Sequence, residues 1–262
     1  MPDHESWLSI VLGTYWTNIE MALRQITGAG HTVVAHQPIG AHPAVGLLFV
    51  VVILTLFALK VRSSVLDVDN PEVIKPDGTL TLRNFAELVT GAVLGMMKGM
   101  MTEKHARYFL PLIGTCAFVI FFSNVLGLIP GMLPPTDSLN TTVPCALAIF
   151  AATHIYGVKE HGLPYFKHFF GPMIGVKWIP LMALMLLIEV VSHLVRPVTL
   201  AVRLMANMFA DHMVLTIFIG LAPFFVPVPM YLMGCIVVTV QTLVFCMLSA
   251  IYIGLAVAHD GH

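Results

Sequence analysis

Ionisable and hydrogen-bonding side chains interrupt a long apolar run near the end of the chain. After Glu189, further polar residues follow in the same run: Ser192, His193, Arg196, Arg203, Asn207 and Asp211. At about 100° per helical residue, all of them fall within one stripe roughly 100° wide. Ionisable residues within a membrane usually face a water-filled path or a charged partner. The pattern therefore predicts that this stripe faces either a water-filled path or a charged partner.

The two arginines of this stripe differ in the partners that the sequence offers them. A charged Arg at the centre of a membrane costs at least roughly 2.5 to 3.5 kcal/mol on insertion scales. Arg196 lies seven residues after Glu189, a distance of about 10 Å along a helix that long side chains or water could bridge. Arg203 has no carboxylate four residues before or after it. We therefore expect the partner of Arg203 on another chain.

The composition is that of an integral membrane protein. Of the 262 residues 58% are hydrophobic and 10% are charged, whereas soluble domains average about 25% charged residues. The net charge of -1 offers no basic surface for nucleic acid. The four cysteines are isolated in or beside apolar runs, which predicts core residues and neither a redox nor a metal site: Cys116, Cys145, Cys235 and Cys246. The acidic N-terminus resembles neither a signal peptide nor a transit peptide, so we expect no cleavage and favour a bacterial plasma membrane.

Five apolar segments are long enough to cross a membrane, which needs about 20 residues. We predict spans at about 43–60, 108–130, 141–158, 178–221 and 230–258 within one membrane domain of residues 43–262, after an N-terminal segment of residues 1–42. Residues 84–100 place five apolar side chains at helical spacing: Phe85, Leu88, Val89, Ala92 and Met96. This spacing predicts either an amphipathic helix at the membrane interface or a helix in a soluble loop. The fold class is an all-α integral membrane protein, with about five membrane helices and this interfacial helix.

The segment 178–221 would extend about 66 Å as one helix, roughly twice the thickness of the hydrocarbon core. Two spans, 178–195 and 204–223, would be an alternative, with the loop placing both arginines on the outer side. Because that loop would itself be apolar, we predict instead one long, tilted helix packed against other protein. The prolines of 221–229 predict a turn, so that the last two helices form a hairpin. Gln241 would then lie at the depth of Arg203 or Asn207. There it would serve either as a polar contact between the helices or as a functional group.

Lys and Arg in the connections predict the orientation. The linkers 60–107 and 158–177 are rich in these residues, whereas 127–144 and 221–229 have none. Positively charged loops stay on the cytoplasmic side. We therefore expect Lys75 and Lys167 in the cytoplasm, Asp137 and Pro227 outside, the N-terminus outside and the C-terminus in the cytoplasm.

Residues 43–258 resemble the subunit a family of rotary F-type ATP synthases. The stretches that carry the resemblance are NFAELVTGAVLG (84–95), FFSNVLGLIP (121–130), PPTDSLNTT (134–142), LVRPVTLAVRLMANMFADHMVL (194–215) and VTVQTLVFCMLSAIYI (238–253). By this resemblance, Arg203 stands where the family has its stator arginine, and Asn207 where it has the nearby asparagine. Glu189 matches the family's carboxylate, Arg196 with Pro197 matches its basic-Pro pair, and Gln241 matches its glutamine. Ser192 and His193 share their stripe and are further candidates for the proton path.

The resemblance also implies an outer half-channel with an acid and a histidine, at Asp211 and His212. Some members have a polar or ionisable residue in the last helix where this chain has Gly234, so we expect Asp211 and His212 to act without it. Ala206 stands where glycine is common, and we attach no function to that difference.

The implied function is proton translocation through two offset half-channels, by a subunit that is not itself an enzyme and holds no cofactor. The implied partners are the ring of c subunits, the peripheral stalk subunit b, the lipid bilayer and, indirectly, the catalytic head. The absence of a visible inverted repeat disfavours a secondary transporter. A haem or metal protein stays open at this stage, because His154, His193 and His212 are predicted to be membrane-embedded. Na⁺ as the coupling ion also stays open.

Overall fold

The computed structural model describes residues 10, 14–27, 42–65, 81–129, 131–162, 179–221 and 227–257. These residues form seven α-helices and one short 3-10 helix, with no strand among them. The α-helices are α1 (Thr14–Thr27), α2 (His42–Val65), α3 (Leu82–Lys98), α4 (Glu103–Gly127), α5 (Leu139–His161), α6 (Ile179–Leu221) and α7 (Pro227–Val257); the 3-10 helix, Pro135–Asp137, lies between α4 and α5.

Five of the helices are long and apolar enough to cross a membrane. They are α2, α4, α5, α6 and α7, which confirms the predicted all-α membrane fold. The spans of these helices alternate in direction, so that Lys98, Glu103 and Lys159 lie at one end of the bundle, here called the basic end. The 3-10 helix and the start of α7 lie at the opposite end. Lys75 and Lys167 lie outside the described residues, and so does most of the N-terminal segment 1–42, whose separation from the membrane domain stays a prediction.

The helix α4 begins five residues before the predicted span. Its first turn is polar, and Glu103 there forms ion pairs with Lys98 at 2.8 Å and with Arg107 at 2.9 Å. Glu103 also lies at the helix N-terminus, where a negative charge is favoured by the helix dipole. Counting apolar residues identifies the part of a helix that lies in hydrocarbon. A charged first turn of this kind extends the helix beyond that part into the membrane interface.

The segment 179–221 is one uninterrupted helix of 43 residues, α6. Pro197 lies inside it, where a proline removes one backbone hydrogen bond. The hydroxyl of Thr199 donates to the carbonyl oxygens of Val195 and Arg196 near this point, at 2.9 and 3.0 Å. The alternative of two spans with a loop at 196–203 is therefore wrong.

The predicted amphipathic segment is the helix α3. The hydroxyl of Thr81 caps it by accepting a hydrogen bond from the backbone N–H of Asn84. Val93 and Met97 are its buried residues, whereas Leu88, placed on the predicted apolar face, is 69% exposed. The helix therefore packs on α4 and α7 through only its second half, since its apolar residues are divided between the protein and the outside.

The core of the bundle lies among α3, α4, α5, α6 and α7. Its central side chains include Met97, Ile113, Ile149, Leu204 and Phe245, all of them fully buried. In the apolar 18-residue stretch by which each helix could cross a membrane, this chain buries 11% of the residues of α6, against 44% of those of α7. Most of α6 therefore presents apolar side chains to lipid or to another protein.

Candidate functional site

The helices α6 and α7 are joined at mid-length by a hydrogen bond between two amides. Asn207 Nδ2 donates to Gln241 Oε1 at 2.6 Å, and Gln241 is 4% exposed. The predicted hairpin therefore brings Gln241 to the depth of Asn207. An amide pair of this kind satisfies polar groups that hydrocarbon would leave without a partner.

Arg203 lies one helical turn before Asn207 and is exposed. The buried residues Leu200 and Leu204 lie on a different side of α6. None of the described carboxylates forms an ion pair with its guanidinium, which agrees with the absence of a suitable acid in its own helix. A guanidinium stays charged under all ordinary conditions. The arrangement therefore presents a fixed positive charge on the outer surface of the bundle, within a membrane-spanning helix.

Asp211 faces a glycine on the neighbouring helix. A Cβ atom built at Gly234 would lie 3.1 Å from Asp211 Oδ2 and 2.6 Å from Leu128 Cδ2. The distance to Leu128 is shorter than real Cβ contacts, and the distance to Asp211 is tighter than most of them, so a side chain here would require both neighbours to move. Gly234 thus leaves room for the carboxylate of Asp211 between α6 and the end of α4.

His212 follows Asp211 and is also half-buried. Successive residues of a helix are rotated by about 100°, so His212 and Asp211 face different directions. The backbone carbonyl of His212 accepts a hydrogen bond from Thr216 Oγ1 at 2.8 Å. The pair lies toward the opposite end of α6, but its two side chains do not share one face.

Toward the basic end, His193 of α6 meets His154 of α5. The centroids of the two imidazoles are 5.4 Å apart, with an angle of 76° between the rings. The Nδ1 atom of His193 lies 3.1 Å from the carbonyl oxygen of Glu189 and 3.5 Å from its Oε1. Glu189 and Ser192 are half-buried at the same level of the helix. His154 therefore joins a group of polar residues that the stripe on α6 alone does not include.

Arg196 is held by an aromatic ring and not by Glu189. Its guanidinium lies 5.3 Å from the centroid of the Tyr252 ring, a cation–π contact between α6 and α7. The ion pair of Arg196 with Glu189, left open by the sequence, is not formed among the described residues. Arg196, His154 and Tyr252 also line a small cleft of about 10 Å³, which is room for about one water molecule.

The histidine pair does not provide a site for haem. Axial histidines must lie on opposite faces of the porphyrin, whereas the rings of His154 and His193 are in direct contact. In the part of the chain that the structure describes, no group of three or more His, Cys, Asp or Glu residues is placed to hold a metal ion.

A buried polar group connects α4 to the 3-10 helix at the opposite end. Thr136 Oγ1 donates to Asn124 Oδ1 at 2.5 Å, and both residues are buried. Asp137, the next residue, is half-buried, and this burial raises the pKa of its carboxyl to about 6. Sequence reasoning placed Asp137 in an outer loop, but it gave no signal that packing would partly enclose the side chain.

Comparison with known proteins gives a family and several close relatives. The sequence profile described as "ATP synthase A chain" matches residues 44–254. The "ATP synthase subunit a" of Sorangium cellulosum is 42% identical over 265 residues, covering 100% of both proteins. Those of Geobacter sulfurreducens and Trichlorobacter lovleyi are 48% and 49% identical over 172 residues, which cover 66% of this chain and 72% of each relative. The matched range 44–254 includes every residue described above as part of the candidate site.

Proposed function

Because the chain belongs to the ATP synthase A chain family, we propose that it is the proton-translocating stator subunit of a rotary ATP synthase. In this proposal it provides two half-channels that open at opposite ends of the bundle. A ring of c subunits connects the two half-channels by carrying each proton on a carboxyl group. The chain itself makes and breaks no covalent bond other than those of moving protons.

The observation that carries the proposal is the charge of Arg203 on α6, which is exposed and unpaired among the described residues. Most of this helix is uncovered by the rest of the chain, which suits a surface against a second protein. A guanidinium that a second protein encloses within the membrane needs a counter-charge. A rotating ring would supply one carboxylate after another. The charge of Arg203 would favour the ionised form of the carboxyl group facing it and repel a proton that moves directly between the half-channels.

The outer half-channel would use Asp211 and His212. Their place toward the opposite end of α6, and the space that Gly234 leaves for Asp211, support this role. A proton passed from these groups would neutralise a carboxylate of the ring. The neutral carboxyl group could then enter lipid, because hydrocarbon strongly disfavours the charged form.

The inner half-channel would lie at the basic end, past Glu189. The positive charges of that end support its placement in the cytoplasm, with the N-terminus outside. The carboxylate of Glu189 is 44% exposed, so it can exchange protons with water. Arg196 lies between Arg203 and Glu189 along the helix, but its contact with Tyr252 favours a supporting role.

The partners in this proposal are the c-ring at the exposed face of α6, the peripheral stalk subunit b, and the catalytic head through that stalk. The location is the plasma membrane of a bacterium. The exposed apolar side chains of α2 and α6 support contact with lipid and with these subunits; among the largest are Leu48, Leu56, Leu187, Val198 and Ile217.

The test is proton flux in vesicles that contain the assembled complex, with Arg203→Ala compared with Arg196→Ala at matched assembly. Under an imposed proton gradient, we expect Arg203→Ala to abolish ATP synthesis and ATP-driven pumping while passive proton flux persists. Arg196→Ala should keep partial coupled activity. Normal synthesis by Arg203→Ala would refute the proposal, and loss at Arg196 alone would move the role to that residue. A Na⁺ gradient without a proton gradient should drive no synthesis.

The orientation can be tested on one helix. In a version without the four cysteines, Glu160→Cys and Asn140→Cys place exposed thiols at the two ends of α5. A thiol reagent that does not cross membranes should label position 160 from the cytoplasm and position 140 from outside. Labelling of both from one side would exclude α5 as a span, and reversed labelling would invert the orientation.

A further inference from the structure

His154 and His193 are anchored in the same way on two different helices. His154 Nδ1 lies 2.9 Å from the carbonyl oxygen of Phe150, and His193 Nδ1 lies 3.1 Å from that of Glu189. A carbonyl oxygen can only accept a hydrogen bond, so in both rings Nδ1 must carry the hydrogen. In each neutral ring, Nε2 is therefore the nitrogen that binds or releases a further proton.

Among the described residues, charged and titratable groups from three helices lie around this pair. On α6, Glu189 lies one turn before His193, and Arg196 lies one turn after it. The helix α5 contributes His154 itself, and α7 contributes Tyr252 beneath Arg196. Two imidazolium ions in ring contact would repel each other, and Arg196 adds to that repulsion. The two rings therefore do not both carry an additional proton at the same time.

The position of the pair suits a relay. The cleft beside Arg196 and Tyr252, with room for about one water molecule, is also lined by His154. On its other side, His193 approaches the carboxylate of Glu189, which is partly exposed. The two imidazoles thus stand between a small cleft and a partly exposed carboxylate.

We propose that His154 and His193 form a proton relay within the inner half-channel, a role that rests on the proposed function. A proton released into the cleft binds to Nε2 of His154, passes to Nε2 of His193 and leaves from that atom to water near Glu189, whose carboxylate lies 3.5 Å from Nδ1 of the same ring. Each ring gains one proton and loses one proton at Nε2, so its Nδ1 hydrogen bond to the backbone persists throughout. His154 is the new member of the pathway, because it stands outside the polar stripe of α6.

The experiment uses the assembled complex in vesicles and compares His154→Phe, His193→Phe and the double variant. The control is His105→Phe, another half-buried histidine near the basic end, on α4 and outside this group. We expect each single variant to slow ATP synthesis about tenfold at matched assembly, a modest part of the effect that proton-transfer groups can have. Because the two residues act in series, the double variant should be no slower than the slower single variant. The control should keep the native rate.

Two further measurements separate a relay from simple packing. In His154→Ala, added imidazole should restore most of the lost rate, because it can carry a proton in the vacated space. At a constant proton gradient, the dependence of the native rate on the inner pH should also differ from that of His154→Phe. Native rates with an unchanged pH profile would overturn the relay. The relay would also be overturned if imidazole restored none of the lost rate and the losses of the two single variants multiplied in the double variant.

These outcomes are independent of the larger proposal. If Arg203→Ala retains normal synthesis, the proposed function itself fails. If Arg203→Ala loses coupling as expected while the histidine variants behave like the control, only the relay fails.

Discussion

The two halves of α6 carry similar polar residues, but the contacts of these residues within the chain differ. Near the basic end, Arg196 packs over Tyr252, and His193 contacts His154. Near the opposite end, Asn207 is bonded to Gln241, whereas Arg203 is exposed and unpaired among the described residues. The first half is thus completed by its own chain, whereas the charge of Arg203 is left exposed on its surface. Spacing showed that Arg203 lacks a carboxylate in its own helix, but only the structure shows that Arg196 lies over Tyr252.

The sharpest test of this difference replaces each arginine by lysine. Arg203→Lys should reduce coupled ATP synthesis about tenfold or more, which corresponds to about 1.4 kcal/mol or more. The reason is that an ammonium group in an apolar site can lose its charge, whereas guanidinium cannot. Arg196→Lys should stay near the native rate, because lysine can also lie over the Tyr252 ring. The measurement is ATP synthesis in vesicles under an imposed gradient, and equal losses at both positions would remove the contrast.

The two proposed half-channels should also differ in their sensitivity. Asp211→Asn combined with His212→Ala should slow ATP-driven pumping about tenfold, because the outer path loses its proton-binding groups. Glu189→Gln should cost about twofold to threefold, since water can replace one partly exposed carboxylate. Acidification of vesicles containing assembled complex gives both rates. If the double variant pumps at the native rate, the outer relay must use other groups.

A smaller effect is expected where α7 makes room for Asp211. Gly234→Ala would place a methyl group against Asp211 and Leu128, so we expect about a threefold loss of pumping from an overpacked contact. The matched control is Gly220→Ala on α6, where a Cβ atom meets nothing within 4 Å. Equal behaviour of the two variants, measured by the same acidification assay, would show that the space at Gly234 has no role.

The smallest predicted effect concerns the pH dependence of stability at the opposite end. Burial raises the pKa of Asp137 to about 6 from its ordinary 3.8, so the folded chain binds this proton more tightly than the unfolded chain does. The resulting stability is complete below about pH 3.8 and is lost as the pH rises through about 6. Asp137→Asn should remove this dependence and raise the thermal midpoint at pH 8 by a few degrees.

Thermal unfolding of the detergent-solubilised chain at pH 4 and pH 8 measures this effect. Glu160→Gln, which changes an exposed carboxyl group, serves as the control. A native pH dependence that persists in Asp137→Asn would assign it to other groups.

The sequence by itself determined the membrane fold and the continuity of α6. Apolar length and composition identify helices that can cross a membrane, because each backbone must satisfy its hydrogen bonds internally there. Helical periodicity also placed Glu189, Arg203 and Asp211 on one stripe, since angular position on a helix depends only on residue number. The start of α4 at Glu103 was missed because hydropathy does not register a charged first turn.

The tertiary structure alone decided which of these residues have partners within the chain. The contact of His193 with His154, of Arg196 with Tyr252 and of Asp211 with Gly234 each joins two helices. Such contacts depend on the depth, rotation and separation of neighbouring helices, which follow from the packing of the whole core and leave no periodic signal in either helix. For that reason the stripe and the missing carboxylate partner of Arg203 could be predicted from the sequence, whereas the contacts of His193, Arg196 and Asp211 with other helices could not.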